Sequence, residues 1–104
     1  QIMEIADRHG LKAYILAHAG DGNMHPMIPT DKENKEDWEK VEKAFSEIFQ
    51  AAAKLGGTLS GEHGIGLAKA PYLPLVMNKD TMEFMRTIKQ AVDPDLILNP
   101  GKFV

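Results

Sequence analysis

An Asp-Gly pair between two short apolar segments constrains the fold of this chain more than any other feature. Asp21-Gly22 follows the segment 11–19 and precedes the segment 23–29. Both central positions of a type I′ turn require a positive φ, so Asp-Gly between apolar runs is a strong hairpin signal. The sequence therefore predicts an antiparallel hairpin with a two-residue turn at Asp21-Gly22.

Two of the four histidines stand symmetrically about this turn. In the predicted register His18 lies directly across from His25, on the same face of the two strands. Directly opposed residues have Cβ atoms about 4.5–5.5 Å apart, so two imidazoles can converge on one atom. The spacing indicates a pair that binds an ion. A polar cross-strand pair that binds nothing is the alternative interpretation.

Two longer segments have the apolar spacing of amphipathic helices. The first pattern runs from Trp38 to Leu55 and ends at Gly56-Gly57. The second includes Met82 and Met85, both expected in the core, and ends at Asp93-Pro94. Two helices combined with a tight antiparallel hairpin predict the α+β class, an antiparallel sheet with flanking helices.

The start of the chain has the pattern of a helix already under way. Residues 1–9 have helical apolar spacing, Gly10 can end the helix, and the first residue is not methionine. We therefore expect residues 1–104 to be one truncated domain of a longer polypeptide.

Composition excludes several classes of function. The net charge is −3 and no basic run occurs, which argues against a nucleic-acid partner. The absence of cysteine excludes disulfide scaffolds, thiolate metal sites and cysteine nucleophiles, and it fits an intracellular protein. No run approaches the roughly 20 apolar residues that a membrane span needs.

A glycine-rich segment, SGEHGIG at residues 60–66, carries the acid that best matches the histidine pair. Glycines on both sides of Glu62 allow close approach of another element or a ligand. Together with His18 and His25, Glu62 would complete three ligands of a catalytic zinc-type site with one open position. On an extended backbone His63 would point to the other side, free to act as an acid or base. Alternatively, the glycines only shape a loop.

Three motifs in this order and spacing carry a family resemblance. HAGDGNMHP (18–26), SGEHGIGLAK (60–69) and DPDLILNPGK (93–102) resemble the C-terminal region of FAD-linked 2-hydroxy-acid oxidases and dehydrogenases. This family includes glycolate oxidase and D-lactate dehydrogenase types within the vanillyl-alcohol-oxidase flavoprotein superfamily. The resemblance covers essentially the whole chain and is greatest to the glycolate oxidase type. D-2-hydroxyglutarate enzymes typically carry asparagine at the position of Met27, so that substrate is not expected here.

The resemblance implies a C-terminal cap domain, similar to a ferredoxin-like arrangement, that covers FAD bound mainly by an absent N-terminal domain. It implies a divalent metal, often zinc, held by His18, His25 and Glu62. It also implies His63 as the catalytic base beside the substrate. Asn23 is expected near the substrate, and Asn99 near the flavin. The expected partners are a 2-hydroxy acid, the FAD-binding domain, and an iron–sulfur or other electron-acceptor subunit.

The sequence thus predicts the substrate- and metal-binding portion of a cytoplasmic FAD-dependent oxidoreductase, with peripheral membrane association as a further expectation. This enzyme would oxidise glycolate or D-lactate by hydride transfer to flavin. Two alternatives use the same three ligands: a metal-dependent hydrolase that activates water, and a non-catalytic ligand-binding module. Bound flavin in the full-length protein would favour the oxidoreductase over the hydrolase. Substrate-dependent dye reduction would favour it over the non-catalytic module.

Overall fold

The computed structural model describes residues 1–31 and 33–102 of the chain. Four α-helices, one 3₁₀ helix and a two-stranded antiparallel sheet make up these ranges, which confirms the α+β class. In chain order they are α1 (Ile2–Arg8), β1 (Tyr14–His18), β2 (Asn23–Met27), α2 (Lys35–Lys54), α3 (Gly66–Lys69), the 3₁₀ helix (Ala70–Leu75) and α4 (Lys79–Val92). Within the described ranges, each helix is too short or too polar to span a bilayer.

The long helix α2 begins and ends through local hydrogen bonds. The Asn34 side chain accepts the backbone N–H of Asp37 at 3.3 Å, and so caps the N-terminus. At the other end Gly56 has a φ of 78°, and the N–H of Gly57 donates to the carbonyl of Ala52 at 2.9 Å. The predicted stop at Gly56-Gly57 is confirmed, because glycine adopts this left-handed conformation without a steric penalty.

Helix α4 forms as predicted, but its apolar face is not buried. The Asn78 side chain caps it by accepting the N–H of Thr81 at 2.8 Å. Met82 and Met85 are only half-buried, and Val92 is 72% exposed. The expectation that these methionines lie in the core is therefore wrong for the described residues. Apolar residues at helical spacing indicate which face of a helix packs against another surface, but they do not identify that surface.

The core lies between α1, α2 and the 3₁₀ helix. Ile5 of α1 packs with Ala44 and Ile48 of α2. On α2, Phe49 contacts the ring of Tyr72 with centroids 4.9 Å apart, and the neighbouring Leu73 is fully buried. Because α2 precedes the loop 57–65 and the 3₁₀ helix follows α3, packing on α2 restrains this loop from both ends.

The hairpin forms in a register that differs from the predicted one. His18 pairs with Asn23, and Leu16, not His18, lies directly opposite His25. The loop has four residues, 19–22, and the carbonyl of His18 accepts the N–H groups of Asp21 at 3.2 Å and Gly22 at 3.0 Å. The predicted two-residue turn is therefore wrong.

The physical reason lies in the Asp-Gly pair itself. Only Gly22 of the pair is left-handed, with a φ of 74°. The Asp21 carboxylate instead accepts the backbone N–H of Asn23 at 2.9 Å, a local bond that favours a longer loop built around an ordinary turn. The register shifts by two residues, which preserves the faces, so His18 and His25 still share one face.

Candidate metal centre

The two hairpin histidines are diagonal neighbours whose rings are in contact. His18 ends β1, and His25 lies in β2, two residues beyond the residue that pairs with His18. Their ring centroids are 5.1 Å apart, and the ring planes cross at 72°. Diagonal residues on one face are within reach of long side chains. The hairpin therefore presents two imidazoles to the same small volume.

Glu62 reaches this volume from the loop 57–65. Its Oε1 atom lies 3.2 Å from Nε2 of His25 and 3.7 Å from Nε2 of His18. One ligand atom from each of the three residues lies within 4.8 Å of the others. Donors around tetrahedral zinc are about 3.3 Å apart, given metal–ligand bonds of about 2.0–2.1 Å. The structure thus brings the three predicted ligands together at a separation that suits a divalent cation.

The Nε2 atom of His25 shows that this donor set fits a cation. The atom is buried and has no hydrogen-bond partner among the described residues, although Glu62 Oε1 is only 3.2 Å away. A buried polar atom without a partner costs free energy, so such atoms are rare unless a ligand or an ion satisfies them. Two imidazoles and one carboxylate with an open side are the donor set of catalytic zinc sites.

His63 lies beside the same carboxylate, contrary to the alternation argument. Its Nε2 atom is 3.6 Å from Glu62 Oε1, and its ring centroid is 5.3 Å from that of His25. The chain bends through residues 61–63, whereas alternation requires an extended backbone. The prediction that Glu62 and His63 face opposite sides is therefore wrong. The role of His63 as the base stays a prediction.

A close contact joins the loop 57–65 to the hairpin next to the ligands. A Cβ atom on Gly61 would lie 2.5 Å from Oδ1 of Asn23 and 2.6 Å from its Cγ. The glycine before Glu62 thus permits a close approach of the hairpin, as the sequence allows. Asn23 thus lies at the site, but the structure shows its side chain against the loop backbone.

Two polar residues within these motifs were given no functional role from the sequence. The hydroxyl of Ser60 is buried without a hydrogen-bond partner among the described residues. Asp93, after α4, is buried, and its carboxylate accepts the N–H groups of Ile97 and Leu98, each at 3.0 Å. No local sequence signal separates these residues from exposed serines and aspartates, because their burial depends on tertiary packing.

Asp93 also bonds to Lys89, whose ammonium group donates to the carboxylate and to the carbonyl of Leu98. The Lys89 ammonium beside it, together with the two N–H donors, holds the pKa of Asp93 below its ordinary value. Asn99 lies beyond this cluster in a turn where the N–H of Lys102 donates to its carbonyl at 3.2 Å. Among the described residues, the contacts of the histidine cluster do not include Asn99.

The ligand cluster lies open on the surface of the chain. The side chains of His18 and Glu62 are 59% and 51% exposed, and His63 is more exposed still. Apolar side chains on the same face of the hairpin, Tyr14, Leu16 and Met27, are exposed as well. A substrate or another domain can therefore approach the cluster directly.

Comparison with known proteins places this chain in a family. The chain is 50% identical over 101 residues to the glycolate oxidase subunit GlcD of Bacillus subtilis, covering 97% of this chain and 22% of that protein. It is 37% identical over 101 residues to GlcD of Escherichia coli K12, covering 97% and 20% respectively. It is 41% identical over 104 residues to a D-lactate dehydrogenase of Archaeoglobus fulgidus, covering 97% and 22%.

The chain therefore spans about a fifth of the length of these relatives. The family model described as "FAD linked oxidases, C-terminal domain" matches residues 1–103. With nearly every residue matched, the chain belongs to the C-terminal domain family of the FAD-linked oxidases.

Proposed function

We propose that this chain is the C-terminal, substrate- and metal-binding portion of an FAD-dependent oxidoreductase that converts a 2-hydroxy acid of the glycolate or D-lactate type into the 2-oxo acid. The observation that carries the proposal is the convergence of His18, His25 and Glu62, in a chain of the FAD-linked oxidase family. Relatives named glycolate oxidase subunit and D-lactate dehydrogenase support the substrate class.

The two hairpin imidazoles and the Glu62 carboxylate would hold a divalent cation, with zinc as the first choice. Neutral imidazoles and one carboxylate leave such a site with a net charge of +1. When bound, the cation supplies positive charge that attracts the substrate carboxylate and lowers the pKa of the substrate hydroxyl. His18 and His25 are fixed by one hairpin, and Glu62 comes from a loop restrained at both ends, so the ligands are preorganised.

His63 would receive the proton in this reaction. Oxidation removes the hydroxyl proton and a hydride from Cα, which leaves the 2-oxo acid. Histidine is the side chain whose charge changes nearest to neutral pH, and the exposed ring of His63 lies beside the proposed ligands. When bound, FAD accepts the hydride.

The exposed apolar surfaces fit a chain that forms one part of a larger enzyme. The open hairpin face and the uncovered stripe of α4 both suit packing against an FAD-binding domain of the same polypeptide. Such a domain would also exclude water from the reacting groups. Reduced flavin must then pass its electrons on, and we propose an iron–sulfur or other electron-acceptor subunit as the partner.

The side chain next to His25 on the same face favours a substrate without a second carboxylate. Met27 lies two residues beyond His25 in β2, opposite Tyr14, and is 45% exposed. Its thioether offers no donor for a distal carboxylate. This supports glycolate or D-lactate over D-2-hydroxyglutarate.

The proposal is tested by purifying the full-length enzyme and measuring dye reduction with glycolate, D-lactate and D-2-hydroxyglutarate. We expect co-purifying flavin, which each active substrate bleaches under anaerobic conditions, and activity with one of the first two acids. An enzyme without flavin that hydrolyses a substrate in a metal-dependent manner would contradict the proposal. A flavin-containing enzyme that binds metal but reduces dye with none of the acids would contradict the substrate class.

A further inference from the structure

The contact between Asn23 and Gly61 lies between the proposed metal ligands. Asn23 pairs directly with His18 across the hairpin and precedes His25 by two residues on the same face. Gly61 directly precedes Glu62. This contact therefore joins the element that carries both imidazoles to the element that carries the carboxylate.

The Asn23 side chain extends from a well-fixed backbone. The N–H of Asn23 donates to the Asp21 carboxylate at 2.9 Å, and the residue begins the ladder of β2. The amide itself leaves no room for a side chain at position 61, because a Cβ there would lie within 2.5–2.8 Å of its Oδ1, Cγ and Nδ2 atoms. Contacts below 3.0 Å are not tolerated, so either the Asn23 amide would have to rotate away or the loop 57–65 would have to move.

Gly61 is thus required for space and not for backbone conformation. Its φ lies outside the left-handed range that Gly22 and Gly64 adopt. The three atoms nearest to an alanine Cβ at this position all belong to the Asn23 amide. A substitution of Gly61 therefore tests the effect of added side-chain volume without the backbone strain that replacing a left-handed glycine would cause.

Resting on the proposed metal site, we infer that Asn23 and Gly61 are positioning residues that set the distance between the Glu62 carboxylate and the two hairpin imidazoles. The Asn23 amide acts as a spacer against the bare backbone of Gly61. A methyl group at position 61 pushes the loop 57–65 away from the hairpin, and it carries Glu62 away from His25.

Four variants of the full-length enzyme test this inference: Gly61→Ala, Asn23→Ala, the double variant, and Gly20→Ala. Gly20 is the matched control, since it lies in the hairpin loop, is not left-handed, and would place a Cβ with nothing within 4 Å. Zn²⁺ affinity is measured by competition with a chelator, and the visible spectrum of bound Co²⁺ reports the ligand geometry. Thermal unfolding of the metal-free proteins reports folding.

We expect Gly61→Ala to weaken Zn²⁺ binding by about 10–100-fold, the usual effect of losing support for metal ligands. Gly20→Ala should bind like the wild type. The double variant should bind more tightly than Gly61→Ala alone, because removal of the amide gives the new methyl group room. A double variant as weak as Gly61→Ala, or a Gly61→Ala enzyme with wild-type affinity and spectrum, would overturn the inference.

Crystal structures of the metal-free wild-type and Gly61→Ala enzymes provide a readout that does not depend on the metal. The inference requires the Glu62 Oε1 to His25 Nε2 distance, 3.2 Å here, to lengthen in Gly61→Ala and to return in the double variant. An unchanged distance in Gly61→Ala contradicts it. A wild-type enzyme that binds no divalent cation contradicts instead the proposed metal site.

Discussion

Nε2 of His25 and Oε1 of Glu62 lie 3.2 Å apart without a hydrogen bond between them, and the nitrogen is buried. The pair joins β2 to the loop 57–65, two elements that are distant in the sequence. This pair is the geometric basis of the proposed cation site, because an ion placed between the two atoms would satisfy the buried nitrogen.

The first prediction concerns the three proposed ligands. Replacing His18, His25 or Glu62 with alanine in the full-length enzyme should lower bound metal and turnover together. Loss of a group that only hydrogen-bonds to a metal ligand costs about 10–100-fold in metal affinity, so loss of a ligand itself should cost at least about 100-fold. Metal analysis of the purified variants, alongside rates of dye reduction, checks this.

His9→Ala is the matched control for these substitutions. His9 lies away from the hairpin, and its Nε2 contacts Oε1 of Glu47 at 2.8 Å. Its loss should leave metal content and turnover unchanged. Equal metal loss in His9→Ala and His25→Ala would show that the purified metal is bound nonspecifically.

The sequence alone predicted the elements of the fold better than their contacts. The helices α2 and α4 and the glycine stop of α2 follow from local periodicity and capping, which are properties of neighbouring residues. The exposed apolar residues of α4 show that contacts could not be predicted in the same way, since periodicity does not reveal what covers a helix face.

The site was predicted in its residues but not in its geometry. The register of the hairpin depended on whether Asp21 takes a positive φ or its side chain accepts the N–H of Asn23, and the Asp-Gly pair is compatible with both. Both registers put His18 and His25 on one face, so the sequence predicted correctly that these two side chains lie together even though the predicted register was wrong. The bend at residues 61–63 and the contact of Gly61 with Asn23 arise from tertiary packing. No periodic pattern in the sequence indicates either feature, so neither could be predicted.

The second prediction concerns the segment after α4. Asp93 has a folded-state pKa below its ordinary value, because of Lys89 and the N–H groups of Ile97 and Leu98. Its carboxylate therefore adds stability that is present above about pH 4, the ordinary value for aspartate, and is lost as the pH falls through the folded-state pKa. Asp93→Asn should lower stability near neutral pH, and this difference should shrink in acid.

Denaturant unfolding of the wild type and Asp93→Asn at a series of pH values from about 7 to about 3 measures the effect. Asp95→Asn is the control, because Asp95 is an exposed aspartate in the same segment. A stability difference that is constant across this pH range would show that the charge of Asp93 contributes nothing.

The third prediction is that residues 1–104 alone do not oxidise 2-hydroxy acids. The chain has two arginines, Arg8 and Arg86, which pair with Glu47 and Glu83 and lie on helices outside the ligand cluster. The substrate carboxylate therefore lacks an arginine partner at the site, and the proposed FAD-binding domain is missing. We expect no dye reduction with D-lactate by the purified chain, whereas the full-length enzyme is active in the same assay. Turnover by the chain alone would contradict the proposed division between two domains.

The fourth prediction separates the base from the ligands. His63→Ala should keep its metal while turnover falls by about 10²–10⁴-fold, the usual cost of losing a positioned general base. The structure makes this a sharp test, because His63 Nε2 lies 3.6 Å from Glu62 Oε1, close to the 3.7 Å between His18 and the same atom. Distance from Glu62 alone therefore does not separate ligand from base. The greater exposure of His63 and its place outside the group of mutually close ligand atoms favour the base. Metal analysis of His63→Ala and Glu62→Ala, together with their rates, decides between the two roles. If His63→Ala loses its metal while Glu62→Ala keeps it, the histidine is the third ligand and the carboxylate is the group that takes the proton.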